Sequence, residues 1–189
     1  MAVKVRPTKP DRAVARWIAR HATPRTERAA QVLTLGADEH LLYALALAWW
    51  LCARGQSRRQ RRASDHVLLT TVAASVLPHL LKRVFDQERP DRLMLPGHRN
   101  GVPYSGRKMD AFPSGHAIHM GALVSAATEL PPQQRNLIWC VGAILSATRI
   151  VLLAHWASDV LCGLLIGGVL ERAMRLVTGY GRSGSRRSN

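Results

Sequence analysis

Acidic side chains are scarce in this chain: 12 Asp and Glu stand against 27 Lys and Arg, leaving a formal charge of +15. Cysteine is scarcer still. Cys52, Cys140 and Cys162 fall in three separate apolar stretches with no CxxC or Cys/His spacing, which argues against a disulfide framework or a zinc cluster and leaves buried thiols. The basic N-terminus lacks an apolar core followed by a small-residue cleavage site, so it does not read as a cleavable signal peptide. No internal repeat is visible. The apolar stretches show no period-2 alternation, which disfavours a membrane β-barrel.

What is present is segregated. With 47% apolar residues over 189 positions the chain is too hydrophobic for disorder and fits one domain. A mean hydropathy of −0.06 hides charged blocks separated by apolar stretches of about membrane length, the pattern of a membrane protein. The basic excess then suits anionic lipid head groups. Nucleic acid is disfavoured as a partner, because a nucleic-acid reader needs a soluble scaffold.

The expected architecture is all-α: a polytopic membrane helical bundle of about five transmembrane helices, preceded by an N-terminal amphipathic helix. Residues 1–31 form a basic segment in which Val14, Trp17, Ile18 and His21 share one helical face and Arg12, Arg16 and Arg20 lie opposite. That pattern fits an interfacial helix or a solvated helix packed on the rest of the protein. The membrane-embedded domain covers 32–177, with spans at about 32–53, 63–81, 114–130, 137–154 and 160–177. Asp38, Glu39 and His40 interrupt the first span and must face water or protein. Residues 82–113 read as a long polar loop, Pro131 to Asn136 as a turn, and 178–189 as a disordered basic tail.

Three polar clusters stand where spans begin or end: Lys82 with Arg89-Pro90; Pro113-Ser114-Gly115-His116; and Thr148-Arg149 followed by His155 and Asp159. They adjoin alternate span ends, so they share one face of the membrane. Alone, each has an ordinary reading: a solvated basic loop, a Ser114 N-cap, and an i,i+4 surface pair. Together they fit a phosphoryl group. Lys82, Arg89 and Arg149 supply positive charge, and the helix start around Ser114 and Gly115 supplies N–H donors. Two histidines can divide the nucleophile and acid roles, while Asp159, one turn from His155, can fix its tautomer.

In order and internal spacing these clusters resemble the three signature motifs of the type-2 phosphatidic acid phosphatase superfamily, across residues 82–159. Thr148 stands where that family usually has Ser, which keeps the hydroxyl. The resemblance implies a metal-independent lipid phosphatase without cofactors. His155 would form a phospho-histidine with Asp159 orienting it. His116 would protonate the leaving group, and Lys82, Arg89, Ser114, Gly115, Arg149 and Thr148 would hold the phosphate. In size the chain is similar to small bacterial undecaprenyl-diphosphate phosphatases, while phosphatidylglycerophosphate and phosphatidate phosphatases use the same motifs. The expected partners are a membrane lipid phosphate and the bilayer.

Two other readings are a metal site at His116, His119, His155 and Asp159, which the nearby cations would oppose, and a lipid-phosphate-binding protein without turnover. His119 reads more simply as an interhelical hydrogen-bonding histidine. With five spans, the motif side carries 16 Lys and Arg and the other side 11. The compact Arg54 to Arg62 loop is the better indicator and is placed in the cytoplasm. The site is then expected at the periplasmic or extracellular face of a bacterial inner membrane.

Overall fold

Capping residues set where each helix begins. The computed structural model describes residues 2–90 and 109–181. Thr8 and Asp11 form a reciprocal capping box that opens α1 (Lys9–His21), and Thr23 with Thr26 opens α2 (Pro24–Thr34). Asp38 accepts from the N–H groups of His40 and Leu41 to start α3 (Glu39–Cys52). Ser57 and Gln60 box the start of α4 (Arg58–Val84). Then come α5 (Gly115–Ala126), α6 (Pro132–Val151) and α7 (Ala157–Thr178), the last ending on Gly179 with φ +69°. A two-stranded parallel sheet pairs β1 (Val3–Lys4) with β2 (Phe85–Asp86).

The all-α class is as expected, and the last five helices fall on the five expected stretches. The boundaries differ in physically informative ways. The first stretch does not run unbroken, because a 3-10 turn at Leu35–Ala37 leads into the Asp38 cap. The helix beyond that cap, α3, has 14 residues and rises only ~21 Å. Pro132 starts α6 directly, so Gln133 to Asn136 form its first turn rather than a loop. Lys82 belongs to the last turn of α4. Of the expected loop, 91–108 lies outside the described residues, as does 182–189 of the expected tail; Gly179 to Gly181 cap α7. By length and hydropathy together, α4 is the one helix among the described residues suited to cross a membrane.

The exterior is more apolar, and the interior holds more polar side chains, than in a water-soluble bundle. Leu161, Leu165, Val169, Leu176 and Val177 point outward from α7, as do Leu69, Val72, Val76 and Leu80 from α4. His66, Ser64, Thr70, Ser146 and Glu171 are buried. Apolar surface on this scale calls for an apolar solvent, while Ser64, His66 and Glu171 find hydrogen-bond partners inside.

Glycine brings the two motif-bearing helices together. α5 packs more extensively against α7 than any other two elements pack. A Cβ on Gly167 would sit 2.0 Å from the Ile118 carbonyl oxygen, one on Gly121 would sit 2.1 Å from that of Leu164, and one on Gly163 would meet Ala117 and the Ser114 carbonyl at 2.8 Å. The backbones therefore touch where any side chain would separate them.

On α1 the buried stripe is Asp11, Ala15 and Ile18. Of the expected apolar face only Ile18 is covered; Val14 and Trp17 are exposed, and Trp17 stacks on His21 at 4.8 Å. Ala15 and Ile18 pack with Ala111, Leu153 and Trp156, so α1 is docked on the elements that carry the motifs.

Gly167→Ala should lower the thermal midpoint in detergent, a loss of about 1–3 kcal/mol from overpacking. Gly168→Ala, where nothing lies within 4 Å, should hold or slightly raise it. Equal midpoints for the two variants would remove the glycine contact as the organiser of this helix pair.

Candidate active site

Folding brings the three clusters to one end of the bundle. The Ser114 N–H donates to the Asp159 carbonyl at 3.3 Å, tying the start of α5 to the start of α7. Arg89 lies beside them, nearly buried at 4% exposure, and its Nη1 donates to the Ala154 carbonyl at 3.1 Å. Its Nε and Nη2 both donate to Asp110 Oδ1, at 3.0 and 2.8 Å, and Lys82 Nζ lies 3.6 Å from Asp110 Oδ2. One carboxylate thus holds two of the three expected cations. Arg149, the third, donates from Nη1 to Thr34 Oγ1 at 3.1 Å while its Nε is buried with no partner among the described residues.

His155 sits in the turn between α6 and α7, outside both helices, and is 3% exposed. Its Nδ1–H donates to the Ala111 carbonyl at 2.6 Å. A carbonyl only accepts, so this contact fixes the tautomer and leaves Nε2 with a free lone pair. Burial pushes the imidazole well below its ordinary pKa, and Arg149, Arg89 and Lys82 push it the same way against the Ala111 contact. The ring is neutral, as an attacking nitrogen must be.

Asp159 plays a different part from the expected one. Its Oδ2 accepts from the Trp156 N–H at 2.9 Å and stands 3.9 Å from His155 Nδ1, beyond hydrogen-bond reach. The i,i+4 geometry does not apply, because His155 precedes α7. The carboxylate caps the helix that follows the imidazole, and Ala111 orients the ring. Ser114 occupies the N-cap position of α5 without making a side-chain cap bond; its Oγ is fully buried, with no partner among the described residues. Thr148 Oγ1 donates back to the Leu145 carbonyl at 2.6 Å and turns away from this role.

The α5 helix ladder begins with Ile118 N–H to Ser114 C=O at 3.1 Å, so the N–H groups of Gly115, His116 and Ala117 precede it. His116 is half-buried in that first turn. His119, one turn on, lies 3.4 Å from Ser75 Oγ, the interhelical contact expected. Among the described residues no three His, Cys, Asp or Glu side chains gather as metal ligands.

Sequence reading missed Asp110, the Ala111 carbonyl, Thr34 and Gln87. Gln87 accepts the Ala111 N–H at 3.0 Å through its backbone and buries its amide beside Asp159. An acidic residue in the basic approach to Pro113 was the available signal for Asp110. The carbonyl and the Gln87 pairing leave none, because both arise from backbone contacts across the fold. Asp11 was also missed: it accepts from the N–H and Oγ of Ser158, each at 2.9 Å, pinning α1 beside Asp159.

An end-on cluster of three cations and unsatisfied buried donors around a neutral histidine defines an anion-handling helical bundle. The chain belongs to the PAP2 superfamily, which it matches over residues 63–182. It is 34% identical over 120 residues to a lipid A 1-phosphatase of Rhizobium etli, covering 63% of this chain and 51% of that protein. A lipid A 1-phosphatase of Rhizobium johnstonii is 35% identical over 103 residues, covering 54% and 42%. The chain thus spans about half the length of these relatives. In fold it is similar to LpxE of Aquifex aeolicus, with a TM-score of 0.68 at 15% identity over 91% of this chain and 98% of that one. A transmembrane PAP2-type phosphatidylglycerolphosphate phosphatase of Bacillus subtilis gives 0.67 at 16%, over 95% and 88%.

The Asp11 carboxyl should make stability fall in acid. Burial alone would raise its pKa, but hydrogen bonds from Thr8 and Ser158 outweigh that and hold it below the ordinary value. The stabilisation is therefore complete above the unfolded value of about 3.9 and is lost as pH falls through the lower folded one. Thermal midpoints across that range should drop for the wild type, and Asp11→Asn should lose part of the slope. Identical slopes would show that the contact carries no linkage.

Proposed function

We propose that the chain is an integral membrane phosphatase that hydrolyses a phosphate ester of a membrane lipid through a phospho-histidine. The observation that carries this reading is the His155 Nδ1–H bond to the Ala111 carbonyl, which leaves Nε2 free within a cluster of cations. The Ser114 hydroxyl and Arg149 Nε add donors with no partner among the described residues, as expected of groups awaiting an anion.

In the first step His155 Nε2 attacks phosphorus and the bond from phosphorus to the lipid oxygen breaks. His116 gives that oxygen its proton. In the second step His116 takes a proton from water as the water oxygen attacks phosphorus, and the phosphorus–nitrogen bond breaks to release phosphate and restore both histidines. Lys82, Arg89 and Arg149, with the N–H groups of Gly115 and His116, meet the charge on the equatorial oxygens. Asp159 serves by fixing the helix start next to the nucleophile.

The outward apolar faces support a lipid substrate over a soluble one. The relatives favour a phosphorylated glycolipid or glycerolipid over undecaprenyl diphosphate, though all present the same group to the site. The Arg54 to Arg62 end is assigned to the cytoplasm and the site to the periplasmic face of a bacterial inner membrane.

Detergent-purified protein in EDTA should release phosphate from at least one of lipid A, phosphatidylglycerophosphate, phosphatidate and undecaprenyl diphosphate, and His155→Ala should lower that release about a thousandfold or more. With an aryl phosphate, whose leaving group needs no acid, His116→Ala should accumulate an acid-labile phosphoenzyme. Chelator-sensitive release, or turnover in His155→Ala, would overturn the mechanism.

Asp110→Ala should free Arg89 from its forked partner and loosen Lys82. Loss of positioning predicts a kcat/KM about tenfold lower, carried mainly by KM. An unchanged KM would show that the cations are placed by other contacts.

A further inference from the structure

The bundle end opposite His155 holds chemistry that the proposed reaction does not use. A cleft of about 430 Å³ opens among α3, α4, α5 and α6, with Leu42, Leu45, Val67, Leu123 and Ile138 in its walls. Toward the reacting end it stops at His119 and Met120. Lys82, Arg89, His116, Arg149 and His155 do not line it. At its other end it shares Trp49, Leu130 and Tyr180 with a second hollow of about 890 Å³, whose lining adds Arg59, Arg62 and Glu129.

The charges there are unbalanced. Glu129 is already paired with Arg175, so Arg59 and Arg62 have no carboxylate partner among the described residues. Arg54, on the preceding turn, is spent on Asp65 at 2.7 Å. The junction between the hollows is firmly built: Tyr180 stacks on His66 at 4.4 Å, and His66 Nε2 lies 3.0 Å from Glu171 Oε1. Trp49 and Tyr180 thus stand where apolar wall gives way to arginine, as aromatic side chains do at a membrane–water boundary.

The depth also fits. From His66 to Ala74, both lining the cleft, helix α4 rises ~12 Å, close to the ~15 Å of hydrocarbon in one leaflet. A substrate tail entering from the reacting end would have to pass His119 to reach it. A lipid of the opposite leaflet would enter directly, tail first into the cleft and head against the arginines.

We propose that the joined hollows bind an anionic phospholipid of the leaflet facing away from His155, with one acyl chain in the cleft and the phosphate against Arg59 and Arg62. This rests on the membrane reading and not on the hydrolytic one. The ligand is recognised by its net negative charge and a single chain, so anionic head groups bind alike and a zwitterionic one binds less tightly.

The test uses the full chain in a non-ionic detergent, with binding read by native mass spectrometry and by thermal midpoint as phosphatidylglycerol or phosphatidylcholine of matched chains is added. Phosphatidylglycerol should bind one per chain and raise the midpoint, at about tenfold or more higher affinity than phosphatidylcholine. Arg59→Ala/Arg62→Ala, on exposed positions that leave the interior intact, should erase that preference. Thr71→Phe, which narrows the cleft, should weaken both lipids. His155→Ala should bind phosphatidylglycerol as the wild type does, so loss of turnover and loss of this site are read separately. Equal binding of the two lipids, or a preference that survives the double arginine variant, would overturn the proposal. Displacement of phosphatidylglycerol by vanadate would assign the cleft to the substrate tail instead, and a dimer that Thr71→Phe dissociates would assign it to a second copy.

Discussion

The backbone contact between α5 and α7 is the constraint on which the rest depends. Ser114, Gly115 and His116 open one helix, His155 and Asp159 flank the start of the other, and Gly121, Gly163 and Gly167 let the two approach until carbonyl oxygens meet α-carbons. In a bilayer no hydrophobic force pushes helices together, so such association comes from close van der Waals packing and from polar contacts. Here both are present, with the glycines along the middle and the Ser114 to Asp159 backbone bond at the reacting end. The other pieces are hung on this pair. The small sheet and the Gln87 to Ala111 pairing bring Asp110 and the Ala111 carbonyl beside it, and α1 closes over the same turn through Ser158.

Polar groups are concentrated at both ends of this pair, and they differ in how far they are satisfied. At the far end Glu171 meets His66, Ser125 and Arg175 in one closed network. At the reacting end Ser114 Oγ and Arg149 Nε are buried with no partner among the described residues. A fully bonded network rigidifies, whereas unpaired buried donors raise the energy of the empty state and so favour whatever ligand completes them. The same bundle thus has a structural end and a receptive end.

How much of this could be read from the sequence depends on what spacing encodes. The five helical stretches were legible because hydropathy runs mark them. The cations and histidines were legible because a basic or imidazole group at a span end is costly without a purpose. Asp110 was not, since its partners lie 21 and 28 positions away and only the fold brings them close. The His155 to Asp159 spacing was read as a pair on one helix, whereas His155 lies before α7 with its Nδ1 3.9 Å from the carboxylate. An i,i+4 pair is neighbourly only within a helix, and α7 begins two residues after His155. Ser114 shows the converse error, a residue type that usually caps a helix occupying the right position with its hydroxyl left free. On α1 the protein-facing stripe was hidden from sequence because Asp11, polar by type, is buried by its bond to Ser158, while Trp17 is left outside.

The turn between α6 and α7 gives the five-residue gap from Arg149 to His155 a geometric meaning. Leu153 adopts φ 51°, a left-handed conformation uncommon for a branched side chain, and the N–H groups of Ala154 and His155 both return to the Arg149 carbonyl at 3.1 and 3.2 Å. The guanidinium-bearing residue and the imidazole-bearing one are therefore stitched to a single peptide unit. The gap acts as a closed ring of fixed size. Adding or removing a residue would change the direction in which the imidazole faces as well as its distance, so the length of this turn sets how the ring is presented to the cations around it.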